Sequence, residues 1–88
     1  MTNAEIARKL RDHARDLARG GHNLYRVRAF RQAALAVLGL PREAAALGPD
    51  LLRTVPGIGE SLAGTIAEYA TGGTWNPRTP ARRMPNAG

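Results

Sequence analysis

The sequence predicts an all-α fold, a compact bundle of short helices. Three observations point to it. Apolar residues recur at three- and four-residue spacings through most of the chain, as one buried helix face requires. Helix starters and breakers bound each such stretch: Thr2-Asn3, Gly20-Gly21, His22-Asn23, Gly39 with Pro41, and Gly48-Pro49. The 88 residues include no cysteine, so a single small domain must rest on a modest, alanine-rich core without a disulfide framework or thiolate metal site.

Thr2 and Asn3 are good N-cap residues, and a helix over 4–19 follows. Ile6, Leu10, Ala14 and Leu17 form its apolar face, with Ala7 and Ala18 beside them. Arg8, Arg11, Arg15 and Arg19 form one outer stripe, expected to be a solvated face with weak pairs such as Glu5–Lys9 and Arg8–Asp12. A second helix over 24–38 buries Val27, Phe30, Ala33, Ala34, Val37 and Leu38, and carries Arg26, Arg28 and Arg31 near its start. Pro41 suits the first turn of a short third helix over 42–47, which Gly48-Pro49 breaks. Asp50 can cap the short helix that comes next. His13 and His22 lack partners at metal-ligand or triad spacing and read as surface or boundary residues.

Leu51 to Tyr69, LLRTVPGIGESLAGTIAEY, organises the rest. Pro56 disfavours helix at Val55. Gly57 and Gly59 permit a tight turn and a close approach of backbone to a ligand. Leu62, Ala63, Ile66, Tyr69 and Ala70 then recur at helical spacing from about Glu60. A helix start behind two glycines offers its free N–H groups to a phosphate. Such an arrangement can grip a nucleic-acid backbone without reading bases; the alternative is an ordinary helix-turn-helix corner that only packs.

From Thr71-Gly72-Gly73 onward the composition changes. Residues 73–88 hold three prolines, no acid, and Arg78, Arg82 and Arg83, so they read as a disordered or loosely docked basic tail beyond a helical domain at 1–72. Trp75 folds back onto the helices in one reading and stacks on a base in the other.

The formal net charge is +6, and Lys9 is the single lysine among 13 cationic residues. That balance favours an anionic partner, nucleic acid above all. Arginine binds phosphate bidentately but cannot act as a Schiff-base amine. The chain has no apolar signal segment near Met1 and no apolar run of membrane-spanning length, so the expectation is a cytoplasmic protein without a membrane partner.

The pattern LxxVPGIGxxLAxxIxEY resembles the helix-hairpin-helix motif of DNA-repair and replication proteins, here over 50–71. The preceding NLYRVRAFRQAA is similar to the stretch before the hairpin in family X DNA polymerases. From Asn3 to Gly72 the chain therefore resembles the N-terminal 8-kDa domain of DNA polymerase beta and its bacterial relatives. That resemblance implies four or five short helices and binding to gapped DNA near a 5′-phosphate. It places DNA contacts at Gly57, Ile58, Gly59, Glu60, Ser61, Leu62 and Thr65, and a basic contact at Arg26, with Arg28 and Arg53 adding charge. It also implies a monovalent cation, Na⁺ or K⁺, on the backbone carbonyls of Arg53, Val55 and Ile58. Phe30 stands where the family often has a tyrosine, Ser61 where a lysine is common, and Thr65 where the family's lyase has its Schiff-base lysine.

The expectation is a non-enzymatic, sequence-independent DNA-binding module. Its rivals are a protein-interaction adaptor that kept the fold and a residual deoxyribose-phosphate lyase.

Overall fold

A computed structural model describes residues 1–77. Among these residues are four α-helices, one 3₁₀ turn and no strand: α1 (Asn3–Arg19), α2 (Leu24–Leu38), the 3₁₀ turn (Ala44–Ala46), α3 (Gly48–Leu52) and α4 (Glu60–Gly72). Most of the expected tail, 78–88 with Arg78, Arg82 and Arg83, lies outside the described residues.

Local chemistry sets the ends of the long helices. Thr2 and Glu5 form a reciprocal capping box at the start of α1, the Glu5 amide bonding the Thr2 hydroxyl and the Thr2 amide bonding the Glu5 carboxylate at 2.8 Å. The bond from the Thr2 amide holds the Glu5 carboxyl below its usual range, and the Thr2 hydroxyl adds to the effect. Asn23 caps α2 by accepting from the Tyr25 amide at 2.7 Å. α1 and α2 pack as an antiparallel pair joined at Gly20–Asn23, and α3 and α4 close the remaining side.

The core draws on every element. Ile6, Leu10, Val27, Val37, Leu52 and Ile66 are fully buried. Each contributes about 1.5–3 kcal/mol of transfer free energy relative to exposure. Ile58 at the hairpin tip is also buried, so the tip is anchored from inside.

Several expectations change in detail. Leu38 is half exposed and Ala18 is exposed, because neighbouring helices cover a narrower arc of α1 and α2 than their apolar stripes occupy. The predicted helix over 42–47 shrinks to the 3₁₀ turn. The Asn3 side chain donates to the Arg42 carbonyl at 2.8 Å and accepts from the Ala44 amide at 2.7 Å, which holds Glu43 extended. Pro49 sits in the first turn of α3 and does not end a helix there. Asp50 lies inside that turn, and Leu47 occupies the cap position. Along the arginine stripe the ion pair is Arg15–Asp12 at 3.3 Å, while Glu5 is committed to Thr2.

His13 and Lys9 are not plain surface residues. Trp75 turns back after α4 and packs edge-on against His13 at 5.5 Å and Tyr69 at 5.3 Å. His13 also meets the edge of Phe30 at 4.6 Å. Lys9 Nζ lies 5.7 Å from the Trp75 ring and 6.0 Å from Tyr69, so Lys9 is half-buried against the rings and not, as expected, paired with Glu5. Lys9 and His13 are four residues apart and share the flank of α1 that faces this cluster.

Burial pushes the His13 imidazole below its ordinary 6.5, and the Arg26 and Lys9 charges act the same way, against Asp16. As pH falls, the unfolded chain takes up this proton before the folded chain does. Folding stability should therefore be level above pH 6.5 and decline as pH drops through that value toward the lower folded pKa. Trp75, the one tryptophan, reports the same event, since an imidazolium 5.5 Å away quenches indole emission. Emission of the folded protein should titrate with a midpoint below 6.5 and become flat in His13→Gln. A midpoint at or above 6.5 would contradict the packing described.

Candidate nucleic-acid interface

The hairpin is built by short-range bonds. The Val55 amide bonds the Leu52 carbonyl and the Ile58 amide bonds the Val55 carbonyl, both at 3.0 Å. Gly57 makes the reversal with φ +94°, in the left-handed region that favours glycine. It also lies flat against α2: an added Cβ would sit 3.4 Å from Ala36 Cβ and 3.4 Å from the Gln32 carbonyl oxygen. Gly57 is therefore needed for the turn, while the contact with α2 would leave room for a methyl at ordinary distance.

Gly59 differs. Its backbone is ordinary and extended, φ −80° and ψ 173°, and a Cβ there would meet nothing within 4 Å. It occupies the N-cap of α4, and no side chain caps that helix. The first intrahelical bond runs from the Ala63 amide to the Gly59 carbonyl at 2.8 Å. The positive end of α4 thus opens beside a residue without a side chain, and the fold does not demand glycine there.

Between this end and α2 lies an open groove of about 1040 Å³, lined from Tyr25 to Gln32 on one wall and from Arg53 to Leu62 on the other. Arg26 and Arg53 face each other across it, and Glu60 is the only acid in the lining. Arg26 is half-buried, its guanidinium 5.8 Å above the Phe30 ring. Arg53 makes only a long, exposed contact with Asp50, 3.9 Å. Such a pair contributes little and leaves the guanidinium available for a stronger anion.

A family model described as a helix-hairpin-helix domain matches residues 1–75. The chain belongs to this helix-hairpin-helix family. Neither the curated proteins nor the solved structures gave a match. Helix-hairpin-helix domains commonly bind nucleic acid, and an uncapped helix start flanked by two arginines is suited to that partner.

The residues predicted for the site divide into two groups. Gly57, Ile58, Gly59, Glu60, Ser61, Leu62, Arg26 and Arg53 all line the groove. Ile58 and Leu62 do so with buried side chains, so what they offer a ligand is backbone. Arg28 and Thr65 lie elsewhere. Arg28 is about 200° around α2 from Arg26, at 100° per residue, and projects from the outer surface. Thr65 is 3% exposed. Its hydroxyl donates to the Ser61 carbonyl at 3.2 Å, within α4.

Tyr25 was missed by sequence reasoning. It is 83% exposed at the rim of the groove. The available signal was its seven-residue spacing from Gln32, which puts both on the groove side of α2.

Proposed function

We propose that this domain binds DNA by its phosphate backbone, without sequence preference, at gaps or nicks such as arise in repair. One observation carries the proposal. The uncapped start of α4 and an open Gly59 share a groove with two arginines that have no strong acidic partner. A phosphate seated there takes the first-turn amides of α4, while Arg26 and Arg53 neutralise its neighbours. These contacts position the strand but carry no base information. Tyr25 at the rim supplies a ring on which an unpaired base can stack, which favours gapped over continuous duplex.

The proposed placement is a stand-alone relative of the polymerase beta N-terminal domain, acting in the cytoplasm. The carbonyls of Arg53, Val55 and Ile58 would hold a Na⁺ or K⁺ ion, which would add positive charge at the hairpin. The donor set fits such an ion. Val55 gives one lone pair to the Ile58 amide and keeps a second. Neutral oxygens suit a hard cation of low charge. Among the described residues no group of three His, Cys, Asp or Glu could hold a metal ion. No helix among the described residues is long and apolar enough to cross a membrane.

The test is a fluorescence titration with gapped, nicked, single-stranded and blunt DNA, with and without a 5′-phosphate. Neutralising roughly three phosphates gives a log–log salt slope of about −2 to −3. Gapped, phosphorylated DNA should bind tightest. A flat salt dependence, or strong preference for one sequence, would contradict the proposal.

The same reading makes the domain non-enzymatic. A Schiff base needs a neutral primary amine. Thr65 offers a buried hydroxyl, and Lys9 lies over Trp75 and Tyr69, outside the groove lining. Borohydride should trap no efficient adduct with a pre-incised abasic duplex. Trapping that disappears in Lys9→Ala would show a relocated nucleophile.

A further inference from the structure

One face of α2 serves neither the core nor the hairpin groove. Leu24, Arg28, Arg31, Leu35 and Leu38 are spaced four, three, four and three residues apart, so they form one stripe along the helix. Leu24 and Leu35 are 67% and 68% exposed, and Leu38 is 47%. The stripe runs for about 21 Å at 1.5 Å per residue. On its α1 side, Arg11 and Arg15 meet Arg31 and Leu35 around a shallow groove of about 340 Å³. This lining shares no residue with that of the hairpin groove.

Three exposed leucines on one helix face need an apolar occupant. Phosphate gives leucine nothing, so the row does not suit a second nucleic-acid surface. A second copy of this chain does not suit it either, because arginine rows would face each other. Leucines at helical spacing with arginines among them and on the α1 side are complementary to a helix with the opposite pattern, apolar along one seam and acidic toward α1.

We infer that this face docks an acidic amphipathic helix of a partner protein. The partner's apolar residues, three or four apart over about four helical turns, would cover Leu24, Leu35 and Leu38. Its carboxylates would pair with Arg11 and Arg15 of α1 and with Arg28 and Arg31 of α2. Because the two linings are separate, DNA and the partner helix are held at once, and the domain tethers that protein to DNA. Docking of the helix goes beyond the DNA reading and does not depend on it; the tethering rests on that reading.

The test uses the full chain and two fluorescent peptides of roughly 20 residues. One places leucine at heptad spacing with glutamate on the flanks, and the other scrambles the same composition. The patterned peptide should bind at least about tenfold tighter than the scrambled one. Leu35→Gln with Leu38→Gln leaves the charge unchanged and touches only exposed side chains. This variant should lose the preference while its melting temperature stays within about 2 °C and its affinity for gapped DNA within about twofold. Equal affinity for the two peptides would mean charge attraction alone and would overturn the proposal. So would no detectable binding of either, or a variant that keeps the preference. A variant that loses more than about fivefold in DNA affinity would make the face a nucleic-acid surface instead.

Discussion

Gly59→Asp should make the protein more stable and at the same time abolish most DNA binding. The backbone at 59 already has the extended N-cap conformation, and a Cβ there meets nothing. Aspartate is a preferred N-cap whose carboxylate accepts from a first-turn amide and suits the positive helix end. With the lower entropy of the unfolded chain, the gain is about 0.5–1 kcal/mol. Tm should rise by about 2–8 °C. The carboxylate occupies the place proposed for a phosphate and repels it. Charge-assisted hydrogen bonds are each worth about 1.5–3 kcal/mol, so affinity should fall about 10- to 100-fold. Calorimetry and DNA titration on the same sample check both halves. Unchanged DNA binding would place the phosphate elsewhere, and a joint loss of stability would make Gly59 structural.

Gly57→Ala should do the reverse, damaging the fold more than the contact. At φ +94° the backbone is strained for any L side chain, and this alone carries the cost, since the new methyl meets Ala36 Cβ and the Gln32 carbonyl at an ordinary 3.4 Å. Holding a non-glycine residue in such a region costs about 1–3 kcal/mol. Tm should fall by at least about 5 °C in a domain of this size. Well below that Tm, DNA affinity should suffer less than in Gly59→Asp, because the α4 amides stay uncovered. A Tm change under about 2 °C would show that the turn relaxes without its glycine.

The two glycines look alike in VPGIG, and only their surroundings tell them apart. The turn itself was legible, as were the spans of α1, α2 and α4, because caps and breakers such as Thr2, Asn23 and Gly20 act on neighbours in the chain. What was not legible depends on distant partners. Asn3 read as a cap candidate, yet its side chain ties Arg42 and Ala44 to α1. His13 and Lys9 gain their surroundings from Trp75, some sixty residues away, which periodicity cannot see. Leu38 and Ala18 matched the apolar spacing but lie beyond the arc that the neighbouring helices cover. Thr65 and Arg28 entered the predicted site by position in the motif and by charge. One points into the core and the other away from the groove.

The central claim is that backbone amides at the start of α4 hold a phosphate. Amide chemical shifts of the ¹⁵N-labelled protein, titrated with a short gapped duplex carrying a 5′-phosphate, test it directly. The largest changes should fall on the amides of Gly57 through Leu62 and on the Arg26 guanidinium N–H. They should shrink together as salt is raised. Changes concentrated on Arg8, Arg11 and Arg15 of α1, with the hairpin amides unmoved, would contradict the account.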